Sequence, residues 1–127
     1  MAERTPESQS HHDALIKQLA DSLISRKFRD VRADLPDSPN KPFRIPEEQS
    51  AHGNIPDVTA IGIQQVFFEV ETDDSINDPH IVTQWRLFAA HAEKTSAEFW
   101  VVVPKAKKIE AQERMTQLGL TAKVMGL

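Results

Sequence analysis

Asp57, Glu69 and Glu71 are the residues of this chain best suited to chemistry. They fall in a segment, Ile55 to His80, that holds six acids (the others are Asp73, Asp74 and Asp78) and neither Lys nor Arg. Carboxylates so concentrated need solvent or an outside cation. Pro56–Ile61 (PDVTAI) and Gln64–Thr72 (QQVFFEVET) both read as strands, joined at Gly62 closely enough to pair as an antiparallel hairpin. Asp57 lies about five residues before that turn and Glu69 about six after it, which makes them near-opposed. Side chains alternate along a strand, so Glu69 and Glu71 share a face with Phe67 while Val66, Phe68, Val70 and Thr72 take the other. One face is core; the other turns acidic toward one end. Carboxylates side by side raise each other's pKa unless a cation lies between them. Hard oxygen donors of this kind suit Mg²⁺ or Mn²⁺, which bind through a few carboxylates, water and a phosphate. The three acids therefore predict a phosphate-handling metal cleft.

The elements that must position them can be read from the rest of the chain. At 127 residues it is long enough for one domain with a real core, and it has no cysteine, so disulfides and thiolate metal sites are excluded. No apolar run reaches membrane-spanning length, and the polar start MAERTPESQSHH has no signal-peptide core. A cytoplasmic protein with no membrane contact is expected. Residues 1–10 read as a disordered polar tail and 11–127 as a single domain. Ser10-His11-His12-Asp13 fits a capping pattern before Leu15, Ile16, Leu19, Leu23 and Ile24, predicting a helix over about 12–26. Phe28–Leu35 reads as a strand, and the prolines at 36, 39, 42 and 46 predict a long loop through to Gly53. Asp78-Pro79 begins a helix with Ile81, Trp85, Phe88, Ala89 and Ala92 on one side and His80, Gln84 and His91 along its edge. The apolar Glu98–Val103 is a buried strand, parallel to a neighbour after the helical crossover. A helix over Ala106–Leu118 stops at Gly119, and a short strand follows near Leu120–Met125. This order gives an α/β protein with a mixed central sheet flanked by helices.

Pro56-Asp57, eleven intervening residues, and Glu69-Val70-Glu71 on an αβββαβ layout resemble the PD-(D/E)XK nuclease superfamily. Restriction enzymes, Holliday junction resolvases and the nuclease domains of recombination helicases belong to it. The likeness runs from about Asp13 to Val103. It implies a restriction endonuclease-like core, Asp57 and Glu69 as ligands of Mg²⁺ (or Mn²⁺), and a backbone carbonyl lent by Val70. Gln84, in Gln84-Trp85-Arg86-Leu87-Phe88, is similar to the helix glutamine of some branches, with Phe88 replacing their tyrosine. The pattern departs from the superfamily at Glu71, where a lysine is expected. A few members have E-x-E and use the second carboxylate to orient water or hold a second metal; others that lost the lysine lost catalysis. Lys41 and Lys105 are candidates to reach in from elsewhere.

The resemblance implies nucleic acid as partner, DNA before RNA, and admits a homodimer, since several members work as dimers. An inactive nucleic-acid-binding domain and a protein-interaction module stand as alternatives to a metal-dependent nuclease. The net charge of −4 argues against coating nucleic acid by bulk charge. A local rim of Arg26, Lys27, Arg29, Arg32, Lys41 and Arg44 facing the acidic cleft is the expected phosphate contact. The simpler reading of those bases is a solvated surface, of Gln84 a helix-edge residue, and of Trp85, Phe88 and Trp100 core.

Overall fold

The strand character of Gln65–Val70 follows from its β-branched and aromatic run, and its place at the centre of the sheet follows from apolar residues on both faces. The structure is a computed structural model and describes residues 4–47 and 50–127. Its elements are α1 (Pro6–Ser25), β1 (Arg29–Ala33), β2 (Ile45–Glu47), β3 (Ser50–Asn54), β4 (Val58–Ile61) and β5 (Gln65–Val70). Then come α2 (His80–Thr95), β6 (Glu98–Val103), a 3-10 turn over Lys105–Lys107, α3 (Lys108–Leu118) and β7 (Lys123–Gly126).

Five strands form one mixed sheet in the order β1-β4-β5-β6-β7. The β1-β4-β5 part is antiparallel, with Val58 opposite Phe68 and Ile61 opposite Gln65; β6 and β7 are added in parallel, with Val70 beside Val102 and Val102 beside Met125. Helix α1 covers one face through Leu15, Ile16, Leu19 and Leu23 against Val58, Ala60, Val66, Phe68 and Val70. Helices α2 and α3 cover the other through Ile81, Trp85, Phe88, Ala111 and Met115 against Phe67, Phe99, Val101 and Val103. Phe68 and Phe88 are fully buried, and truncating either to alanine costs about 3–5 kcal/mol. Among the described residues no helix is long and apolar enough to cross a membrane.

The turn between β4 and β5 needs its glycine. A Cβ on Gly62 would come within 2.8 Å of the Phe28 ring, which packs over the turn. At the far end of the chain Gly119 closes α3 in the left-handed conformation, with its amide and that of Leu120 bonded back into the last helical turn.

Three expectations need correction. Helix α1 starts at Pro6, so residues 6–10 are helical and 1–3 lie outside the described residues. Thr5 caps it by accepting the Ser8 amide at 3.1 Å, Pro6 takes the first helical position and Glu7 adds an acid to the first turn. Ser10–Asp13 therefore lies inside the helix. Next, the segment expected to be a loop to Gly53 carries β2 and β3, a separate two-stranded sheet; residues 48 and 49 lie outside the described residues. Pro46 is tolerated because a two-stranded sheet has only edges. Finally, the strand face that bears Phe67 and Glu69, expected to be the acidic side opposite the core, is itself buried, because α2 covers it.

Candidate functional site

The open end of the β4–β5 hairpin, away from Gly62, is where the chain's acids gather. A cleft of about 620 Å³ is lined there by Asp34, Asp57, Glu69, Glu71, Asp74 and Asp78, with Val70, Gln84, His12, His80, Ser75 and Arg4. The metal and catalytic residues that the resemblance implied, Asp57, Glu69, Val70, Glu71 and Gln84, all line this one cleft.

Asp57 and Glu69 are tied by a reciprocal exchange. The Asp57 amide donates to Glu69 Oε1 at 3.1 Å, and the Val70 amide donates to Asp57 Oδ2 at 2.7 Å. The register explains it: with Val58 opposite Phe68, the next pair outward is Asp57 and Glu69, and their side chains continue the ladder where the backbone stops pairing. His12 Nε2 adds a third contact, 3.2 Å from Asp57 Oδ2. His12 lies three, four and seven residues before Leu15, Ile16 and Leu19, so it shares their stripe and is brought over the end of the sheet.

Glu71 lies one pleat further along, with its amide donating to the Val102 carbonyl at 2.8 Å. The residue is 2% exposed, and its carboxylate accepts from both sides: Trp85 Nε1–H reaches Oε2 at 3.0 Å and the Ser75 hydroxyl reaches Oε1 at 2.7 Å. Trp85 is thus core by burial and polar at one atom. Ser75 is held by a tight turn in which its hydroxyl also accepts the Thr72 amide at 2.9 Å. The Gln84 amide group is 3.5 Å from Asn54 Oδ1, so α2 reaches toward β3 across the cleft.

Burial governs how these acids titrate. Loss of hydration pushes the Glu69 carboxyl well above its usual range, and the charges of Asp57 and Glu71 add to it. Burial likewise pushes Glu71 up to about 7, with the Asp57 charge adding; its bonds from Ser75 and Trp85 and the nearby Arg4 work the other way. Burial lowers the His12 pKa, but the hydrogen bond and charge of Asp57 outweigh it, so the net shift is upward. Repulsion between carboxylates is part of the cause, as the sequence suggested, and burial is the larger part.

Two kinds of residue were missed or misplaced. Arg4, assigned to a disordered tail, lines the cleft, and no motif flagged it. His12 could have been found from its place on the apolar stripe of α1. The expected basic rim does not face the cleft. Arg26, Lys27 and Arg29 are exposed at the Gly62 end of the hairpin, where Arg29 Nη2 donates to the Gly62 carbonyl at 3.4 Å. Arg32 pairs with Asp30 at 3.1 Å and lies 4.6 Å from the centre of the Phe43 ring, and Lys41 donates to the Leu35 carbonyl. Neither they nor Arg44 line the cleft, and Lys105 sits on the turn after β6; no lysine among the described residues enters the acidic site.

Among the described residues no three or more His, Asp or Glu side chains form a ready-made metal ligand set. Mg²⁺ is commonly held by only one or two carboxylates, with water and substrate phosphate completing its shell. The donors of Asp57 and Glu69, with Val70 in the same wall, fit that mode of binding by their hard-oxygen chemistry. Comparison with known protein families, characterised proteins and solved structures gave no match to this chain.

Proposed function

We propose that this chain is a restriction endonuclease-like domain of the PD-(D/E)XK type that hydrolyses nucleic-acid phosphodiesters with Mg²⁺ or Mn²⁺. The observation that carries this is the convergence of Asp57 and Glu69 from paired strands on one cleft, with Glu71 buried beside them. The order α1, β1, β4, β5, α2, β6 supports it further, because with the β2–β3 hairpin set aside it follows αβββαβ, with four adjacent strands in that order. In this reading Asp57 and Glu69 hold the metal with the carbonyl of Val70. An ion held there would supply Lewis acidity and positive charge toward a substrate phosphate.

The remaining chemistry falls to side chains. Glu71, titrating near neutrality, accepts a proton from the attacking water as its oxygen bonds to phosphorus; the P–O bond to the leaving sugar oxygen breaks, and that oxygen takes a proton from solvent. Trp85 and Ser75 fix the orientation of Glu71, and His12 fixes Asp57. Gln84 stands at the cleft mouth to position substrate. DNA is the first substrate to test, with a homodimer as the assembly and the cytoplasm as the setting that go with this reading.

The deciding experiment is metal-dependent cutting of single-stranded, duplex and branched DNA and RNA by wild type and Asp57→Asn. Cutting by wild type and none by the variant supports the proposal. Equal cutting by both assigns the activity to a contaminant. A second reading, binding without cleavage, is favoured by one observation: both oxygens of Glu71 are already taken by Trp85 and Ser75. Tight nucleic-acid binding by a wild type that cuts nothing in either metal selects it.

A further inference from the structure

The cleft holds six acidic side chains and, among the described residues, a single Lys or Arg, which is Arg4. That arginine is fixed in place. Its Nη1 donates to Thr72 Oγ1 at 2.6 Å, and Thr72 is only 1% exposed, so the anchor belongs to the interior. One residue on, the Thr5 cap and Pro6 set the direction of the backbone. From the first turn of α1 the Ser8 hydroxyl then donates to Asp74 at 2.7 Å, holding the same turn from a second point. Toward carboxylates the guanidinium stands off. Nη2 is 3.8 Å from Glu71 Oε1 and Nη1 is 3.9 Å from Asp74 Oδ1, both beyond hydrogen-bonding range. A guanidinium has five N–H donors on a rigid plane. Here it is steered by two hydroxyls, that of Thr72 and, at 3.4 Å, that of Ser8, and drawn toward acids without being locked onto either, which suits it to an incoming anion.

We propose that Arg4 is the phosphate-binding base of this cleft, donating to the non-bridging oxygens of a nucleic-acid phosphate that lies over Asp57 and Glu69. It supplies the positive charge that Glu69-Val70-Glu71 lacks, and it does so from the start of α1, 67 residues away in sequence from Glu71. The inference rests on the phosphodiester reading above, since a phosphate is the ligand it invokes. An anion entering among six acids meets repulsion that a metal at Asp57 and Glu69 offsets on one side only. Arg4, on the Thr72–Asp74 side, offsets it on the other.

The test uses fluorescence anisotropy of a short labelled DNA with single-stranded and duplex arms, in millimolar Ca²⁺, across a salt series. Arg4→Met should weaken binding about tenfold and reduce the salt slope by about one. Arg4→Lys should recover the slope, because the charge returns, and only part of the affinity, because the planar fork does not. Calorimetry with Mn²⁺ alone should show Arg4→Met binding metal as well as wild type or better, since a competing cation has gone. A structural clip would alter the melting temperature but leave the salt slope unmoved. Wild-type affinity and slope in Arg4→Met would overturn this inference and leave the nuclease reading standing. Failure of wild type itself to bind or cut any nucleic acid would overturn both.

Discussion

The β4–β5 hairpin carries charge at both ends under opposite conditions. At the turn end Arg26, Lys27 and Arg29 are exposed, Ile63 is fully exposed, and the specific contacts are those of the Phe28 ring and the Arg29 guanidinium with Gly62. At the open end Glu69 and Glu71 are 5% and 2% exposed, each bonded to named donors, and both are pushed up in pKa by burial. Charges of the first kind cost little to fold and are worth little alone. Charges of the second kind oppose folding and persist only with partners and, on the reading above, with a use. Three of the six bases expected to form a phosphate rim lie at the solvated end, and the other three stand outside the cleft. The one Lys or Arg that lines the cleft among the described residues, Arg4, was hidden in what looked like a tail.

The sharpest way to test that contrast is to remove charge at the buried end. Glu71→Gln keeps the shape and can keep both bonds: the amide oxygen still accepts from Trp85 Nε1–H, and the Ser75 hydroxyl can turn to accept from the new amide group. Cleavage should fall by about two orders of magnitude or more with the fold intact, the scale of a lost general base. Glu71→Lys brings the commoner motif back, but places an ammonium against Trp85 Nε1–H, so its melting temperature must be read alongside its activity. If that variant gains cutting that wild type lacks, the open end is a binding site and not a catalytic one.

A smaller effect should appear with pH in the absence of metal. Glu71 titrates higher in the folded chain than its ordinary 4.5, so the native state holds the proton more tightly than the unfolded state. Its contribution to stability is complete below about pH 4.5 and is lost as pH rises through about 7, in all about 3 kcal/mol. Glu69 and His12, also raised, act in the same direction. Melting temperature should therefore fall from about pH 5 to about pH 8, and millimolar Mn²⁺ should recover most of the loss. In Glu71→Gln the fall should be shallower. A melting temperature that is flat or rises over this range, metal-free, would mean that the buried end is not under the electrostatic load described.

The smallest effect belongs to the turn end. Replacing Arg26, Lys27 and Arg29 together by alanine should change stability by less than about 0.5 kcal/mol per site and leave nucleic-acid binding within a factor of about two. A large loss of binding would move the interface to the wrong end of the hairpin and undo the contrast.

Much of the open end was legible in the sequence. Strand alternation and a turn at Gly62 are local signals, and together they set Asp57 opposite Glu69. The apolar spacing of Ile81, Trp85, Phe88 and Ala92 gave the buried face of α2, and Gln84 followed onto the cleft side. What stayed hidden depended on tertiary cover. Alternation assigns Glu69 and Glu71 to a face but cannot tell that α2 will close over it and hand Glu71 an indole N–H. The β2–β3 hairpin was obscured by prolines whose breaking effect is decisive only inside a larger sheet. Helix α1 is capped by Thr5 and not by Ser10, which puts the cap one residue after Arg4, and the bonds from Arg4 to Thr72 and from Ser8 to Asp74, both long-range, hold the helix start over the cleft.

The side-chain rungs that Asp57 and Glu69 add to the hairpin bear on how this site would age. In most enzymes the reacting groups contribute little to holding the chain together, and a copy released from selection for activity loses them first. Here Asp57 accepts the amide of Val70, and Glu69 the amide of Asp57, so replacing either by a side chain that cannot accept a hydrogen bond frays the end of the central sheet. Selection for folding alone would keep hydrogen-bond acceptors at both positions in a lineage without catalysis. Drift would instead begin at the mouth of the cleft, with Gln84 and His80, and work inward from there.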